Sequence, residues 1–193
     1  MDFSLRSLFT ALILTLAATS TAAANERLRA DSGYVGRIKL QNDLDDPRGY
    51  CLDVPGPATN RLLHIPVWAH TCHAGAEPDQ VFRFNEDGAG WIRFVFQSHD
   101  LCLTANDAVE GTRFRFSACG DSARQAFDAT AEGTLVLRGT DLCLVVANMT
   151  DGGSQDEAGL GRQVRATHMV RGLRLRPCGQ GAPEMARWIP IVE

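Results

Sequence analysis

Lysine is almost missing from this sequence. Of its 19 basic residues only Lys39 is a lysine, and the arginines are scattered along the chain. Against 23 acidic residues, and with a formal net charge of −4, they build no basic stripe. Nucleic acid is therefore not an expected partner. Long apolar runs are missing beyond residue 24, so no later segment is expected to span a membrane. No stretch after Leu28 carries a helical stripe of ten residues, which removes the helical fold classes. Gly-x-Ser-x-Gly, His-Glu-x-x-His and a phosphate-cradling glycine loop are missing as well. Asp45-Asp46, Glu86-Asp87 and His99-Asp100 read as loop punctuation, while a carboxylate pair for glycoside hydrolysis needs only two such groups brought together by the fold. An enzyme is not expected, and no cofactor is implied.

The 193 residues are 45% hydrophobic and 22% charged, an ordinary globular composition. Residues 1–24 differ from the rest. Arg6 leads an apolar run from Leu8 to Ala18, followed by small residues up to Ala22-Ala23-Ala24. A charged start, a short apolar stretch and small residues are the parts of a secretory signal peptide. Residues 25–193 are then expected to form one exported domain, secreted or periplasmic. No cysteine precedes Cys51, so a lipid anchor at the cleavage point is not expected. The six cysteines are Cys51, Cys72, Cys102, Cys119, Cys143 and Cys178. An even count in an exported chain implies three disulfides, among 15 possible pairings.

A threefold repeat runs through the exported part. Cys51-Leu52-Asp53-Val54, Cys102-Leu103-Thr104-Ala105 and Cys143-Leu144-Val145-Val146 begin the three units. Each is followed by an alternating stretch that ends in a second cysteine: Val67 to Cys72, Phe114 to Cys119, Leu173 to Cys178. Each then reaches an aromatic strand, Gln80-Val81-Phe82, Gln125-Ala126-Phe127 or Ala186-Arg187-Trp188. The period-two patterns, bounded by Gly, Asp and Asn, predict about four short strands per unit. The units span about 33–84, 85–128 and 129–193. Uneven spacing argues against a solenoid, so the units are expected to close on one shared core holding Phe82, Phe127 and Trp188. Equivalent units require local disulfides: Cys51–Cys72, Cys102–Cys119 and Cys143–Cys178.

Cys-Leu-Asp-Val, an apolar strand into Cys and a Gln-x-aromatic end, three times over, resemble the ricin B-type lectin β-trefoil. The resemblance covers residues 33–193 and implies an all-β trefoil with pseudo-threefold symmetry. It also implies a shallow sugar site within a single repeat. In that family an Asp two residues after the first Cys accepts sugar hydroxyls, and an aromatic before the second Cys stacks on the ring. A polar residue before the Gln-x-aromatic glutamine completes the contacts. Carried onto the first repeat, these are Asp53, His70 or Trp68, Asp79 and Gln80. The second repeat offers Thr104, Ser117, Arg124 and Gln125, and the third Val145, Arg176 and Ala186. Both lack a carboxylate and an aromatic platform, so only the first repeat is expected to bind carbohydrate. Two alternatives stand beside a lectin. One is a cell-binding or accessory toxin subunit resembling the A and C subunits of cytolethal distending toxin, with a protein partner. The other is an inhibitor or envelope scaffold.

Plainer roles compete at each of these positions. Asp53-Val54-Pro55-Gly56 is good turn chemistry. Trp68 could be packing, His70 a plain surface residue, and Gln80 and Gln125 strand-end structure. His70, Cys72 and His73 crowd together, but a thiol in a disulfide cannot ligate and no second ligand cluster stands at zinc spacing. No metal is expected, and His64, His99 and His168 read as isolated surface residues. A polar insertion from about Asn148 to Val170, with Asn148-Met149-Thr150 as a formal glycan acceptor, reads as a surface excursion or a partner-binding loop.

Overall fold

A computed structural model of the chain describes residues 34–56, 63–75, 77–86, 92–96, 99–147 and 168–191. The leader 1–24, the Asn148-Met149-Thr150 acceptor and most of the 148–170 insertion lie outside them. Twelve short strands occur among the described residues, four per repeat. They are β1 Tyr34–Leu40, β2 Tyr50–Asp53, β3 Trp68–Thr71 and β4 Phe82–Glu86; β5 Ile92–Phe96, β6 Leu101–Ala105, β7 Phe114–Ala118 and β8 Phe127–Ala129; β9 Leu135–Leu137, β10 Leu142–Val146, β11 Val170–Pro177 and β12 Trp188–Ile191.

The first and last strand of each repeat close into a ring. β1 pairs β4, β4 pairs β5, β5 pairs β8 and β8 pairs β9. A bridge between Thr134 and Arg187 joins β9 to β12, and β12 returns to β1. Closure of this kind leaves the ring no free edge. The middle strands form three hairpins, β2–β3, β6–β7 and β10–β11. They share one register: Cys51 faces His70, Cys102 faces Ser117 and Cys143 faces Arg176. The disulfides are the three local pairs that the repeat requires, with Cα atoms 5.0–5.1 Å apart. This is a β-trefoil.

Alternation sends every second residue of the ring strands inward. Ile38 and Leu40, Phe94 and Phe96, and Leu135 and Leu137 are buried at equivalent places. Phe82, Phe127 and Trp188 are sealed completely. The filling is uneven between repeats. Phe94, Phe114 and Phe127 meet in one cluster, while Trp188 serves the repeat that otherwise offers leucines.

Symmetry breaks at β11. Its first residues, Val170 to Gly172, pair with β3 of the first repeat, so Val170 lies opposite His70. Thr71 continues the contact: its N–H donates to Met169 O (3.0 Å), and its Oγ1 accepts from Met169 N (2.7 Å). The strand thus reclaims the end of the insertion and lays the third repeat against the first.

The long leader loop before β2 is held to the same place by Asp46. Its carboxylate accepts from Thr71 Oγ1 (2.5 Å) and from Arg48 N, Nε and Nη2 (3.0, 3.1 and 3.1 Å). Burial opposes ionisation of this group, but the bonds from Arg48 and Thr71 outweigh it and hold the carboxyl at about 2. A carboxyl with a depressed folded-state value stabilises the fold above its unfolded value, near 3.8. That contribution, about 2 kcal/mol, is lost as pH falls from there through about 2. Asp46→Asn should flatten this limb of an acid-unfolding profile. A profile of unchanged steepness would show that the carboxylate is not held by these bonds.

Candidate functional site

The end of β2 and the start of β3 place Asp53 directly opposite Trp68. Gln80, in the turn before β4, reaches back to both strands. Its Nε2 donates to Asp53 Oδ2 (2.8 Å) and to Thr71 O (3.0 Å), while its Oε1 accepts from His73 N (3.0 Å). Trp68 Nε1 donates to Asp53 Oδ1 (3.0 Å). Both carboxylate oxygens are thus bonded from within the protein, and Asp53 is only 3% exposed.

The Asp53 carboxylate, expected to accept sugar hydroxyls, is here occupied by donors of the protein itself. The carboxylate faces inward because two neighbouring N–H groups, on Trp68 and Gln80, need an acceptor in a dry place. Trp68 is buried with its N–H committed, so it presents no open stacking face. Asp79 is half-buried, with its carboxylate within reach of His73 and Asp53, and its main-chain oxygen accepts from Val54 N (3.0 Å).

The glutamine is a clamp common to two repeats. In the second, Gln125 Nε2 donates to Ala118 O (2.9 Å) and its Oε1 accepts from Gly120 N (2.9 Å), the same pair of backbone groups around the second cysteine. Hydroxyls stand where the first repeat has its charge: Gln125 Nε2 also donates to Thr104 Oγ1 and Ser117 Oγ, each at 3.0 Å. The third repeat has Ala186 there and no such clamp. A cleft of about 370 Å³ lies beside Val145 and Arg176 of that repeat, and Arg176 is paired there with Glu110 (3.0 Å). Because only Gln80 holds a carboxylate, Gln80→Ala should destabilise the domain by about 3 kcal/mol, and Gln125→Ala by about half as much. Equal shifts in urea midpoint for the two variants would argue against a charged clamp.

His70 is the point where structure exceeds sequence. It is buried on β3, and its Nδ1 lies 3.1 Å from Thr71 O, 3.3 Å from His73 Nε2 and 3.5 Å from Asp53 Oδ2. His168, read from sequence as isolated, is brought across by the β11–β3 pairing. Its ring centroid is 5.1 Å from that of His70 and 5.6 Å from that of His73. Nothing local to residue 168 signals this, because the partner strand belongs to another repeat. Burial, followed by the nearby His73 and His168, pushes the His70 imidazole down to about 4. Burial, followed by Arg48 and His73, lowers His168 as well. His70 is therefore neutral at pH 7, with one ring nitrogen carrying a proton and the other offering a lone pair rather than charge.

Residues 38–162 match the family model of the ricin-type beta-trefoil lectin domain. No curated protein matches the chain in sequence. Among solved structures, the chain is similar to the designed 3-fold symmetric protein ThreeFoil, with a TM-score of 0.56, 14% identity and coverage of 81% of this chain and 99% of that one. It is also similar to the ricin B-like lectin of Macrolepiota procera, solved in complex with lactose: TM-score 0.55, 14% identity, coverage 85% and 99%. The cytolethal distending toxin of Haemophilus ducreyi follows with a TM-score of 0.51, 16% identity and coverage of 82% and 85%. At these identities the likeness is one of fold.

Proposed function

The chain belongs to the ricin-type β-trefoil lectin domain family, and on that premise we propose that it is an exported, non-catalytic carbohydrate-binding domain with one sugar site, in its first repeat. The observation that carries this reading is the assembly of Asp53, Trp68, His70, Asp79 and Gln80 at one end of the β2–β3 hairpin, with no carboxylate at the equivalent positions of the other repeats. Lactose on the Macrolepiota procera lectin supports the ligand class. Three disulfides suit an oxidising compartment. An incoming sugar meets Asp79 and His73 first, since both are half-buried at the rim.

A glycan array probed with the disulfide-intact protein tests this. The expected result is a small set of related glycans whose signal falls at least about tenfold in Asp79→Ala and in Asp53→Asn, a loss of about 1.4 kcal/mol or more. Thr104→Ala, the matching position of the second repeat, should bind as the parent does. Binding unchanged in both first-repeat variants would move the site elsewhere, and an empty array would end the sugar reading. One observation favours a second reading. The inward turn of Asp53 suits a trefoil that docks a protein instead, as an accessory toxin subunit would. Such a subunit should co-purify with a catalytic partner encoded beside it.

A further inference from the structure

We propose that His70, His73 and His168 form a binding site for a divalent transition-metal ion of the zinc class. One ligand atom from each lies within 4.8 Å of the other two. His70 Nδ1 and His73 Nε2 are 3.3 Å apart. Two nitrogens at about 2.0–2.1 Å from a tetrahedral zinc stand about 3.3–3.4 Å from each other, so this pair already has the separation that the ion imposes, with the His70 tautomer moving its proton from Nδ1, which faces Thr71 O, to Nε2.

The three imidazoles are carried by fixed backbone. His70 lies on β3, which is paired on both sides, to β2 and to β11. His73 follows the Cys51–Cys72 disulfide; its N–H is held by Gln80 Oε1, and its carbonyl accepts from Arg37 Nη1 (2.6 Å). His168 precedes Met169, whose N–H and carbonyl both bond Thr71. Ligands set this way lose little freedom when an ion enters. Charge is balanced from the His73 side, where Asp53 and Asp79 form a second set within 4.8 Å. Of the nearby cations, Arg48 is turned to Asp46 and Arg37 donates to the His73 carbonyl. Imidazole donors select zinc, cobalt, nickel or copper over calcium and magnesium, which prefer oxygen. The inference does not depend on the sugar reading, although His70, Asp53 and Asp79 belong to both sites.

Calorimetric titration of the disulfide-intact protein with zinc, and optical titration with cobalt(II), test it. One zinc per chain at micromolar or tighter affinity is expected, with cobalt giving the intense visible bands of tetrahedral coordination. His168→Ala should weaken zinc by more than the roughly 10–100-fold that loss of an outer-shell partner brings. His64→Ala, at an exposed position away from the cluster, should bind as the parent does. His73→Gln is the second variant, checked for folding by circular dichroism. No zinc uptake, several weak equivalents, or affinity unchanged in both His168→Ala and His73→Gln would overturn the site. The 3.3 Å contact would then be a plain imidazole–imidazole hydrogen bond.

Discussion

Complete reduction of the three disulfides is expected to unfold the domain at 25 °C. The bonds close loops of 21, 17 and 35 residues. In the chain-entropy account each removes about 3–4 kcal/mol of freedom from the unfolded chain, the longest loop the most. Their combined contribution, about 10 kcal/mol, matches the whole stability of an ordinary domain. Circular dichroism in excess dithiothreitol should show loss of the near-ultraviolet signal. Of the single-pair deletions, Cys143→Ser with Cys178→Ser should cost most, and Cys102→Ser with Cys119→Ser least. A reduced protein that keeps its native spectrum would mean that core packing alone carries the fold.

Replacing Trp188 by alanine should lower unfolding stability by about 5 kcal/mol. Removal of a buried indole forfeits about 3–5 kcal/mol through lost burial and the cavity left behind. A second loss follows from polarity. Trp188 Nε1 donates to Leu144 O (2.9 Å), tying the last ring strand to the hairpin strand β10. Without it a buried carbonyl is left unpaired, at about 1–3 kcal/mol. Trp188→Phe keeps most of the ring but not the donor, so it should cost about 2 kcal/mol. Urea denaturation followed by far-ultraviolet circular dichroism separates these values. A loss below about 2 kcal/mol in Trp188→Ala would mean that neighbouring side chains close the cavity.

Much of the fold is legible in the residues because a repeat states the same information three times. Cys-Leu at the start of each unit, a second cysteine and an aromatic end fix strand, pair and core together. The alternation of Ile38 with Leu40, or Phe94 with Phe96, can be satisfied by only one face of a strand. The clamp formed by Gln80 and Gln125 was half visible: the glutamines repeat, but their common targets around the second cysteine are backbone groups, which carry no sequence signal.

The candidate site divides differently. Sequence alone determined that the first repeat holds the carboxylate, the aromatics and the glutamine, since residue identity at a repeated position needs no coordinates. Tertiary structure decided which way the carboxylate faces, because that depends on which N–H groups surround it. It also decided that His168 joins His70 and His73. Pairing between strands of different repeats is a long-range choice of register, made by total burial and backbone bonding, and no window of the chain contains it.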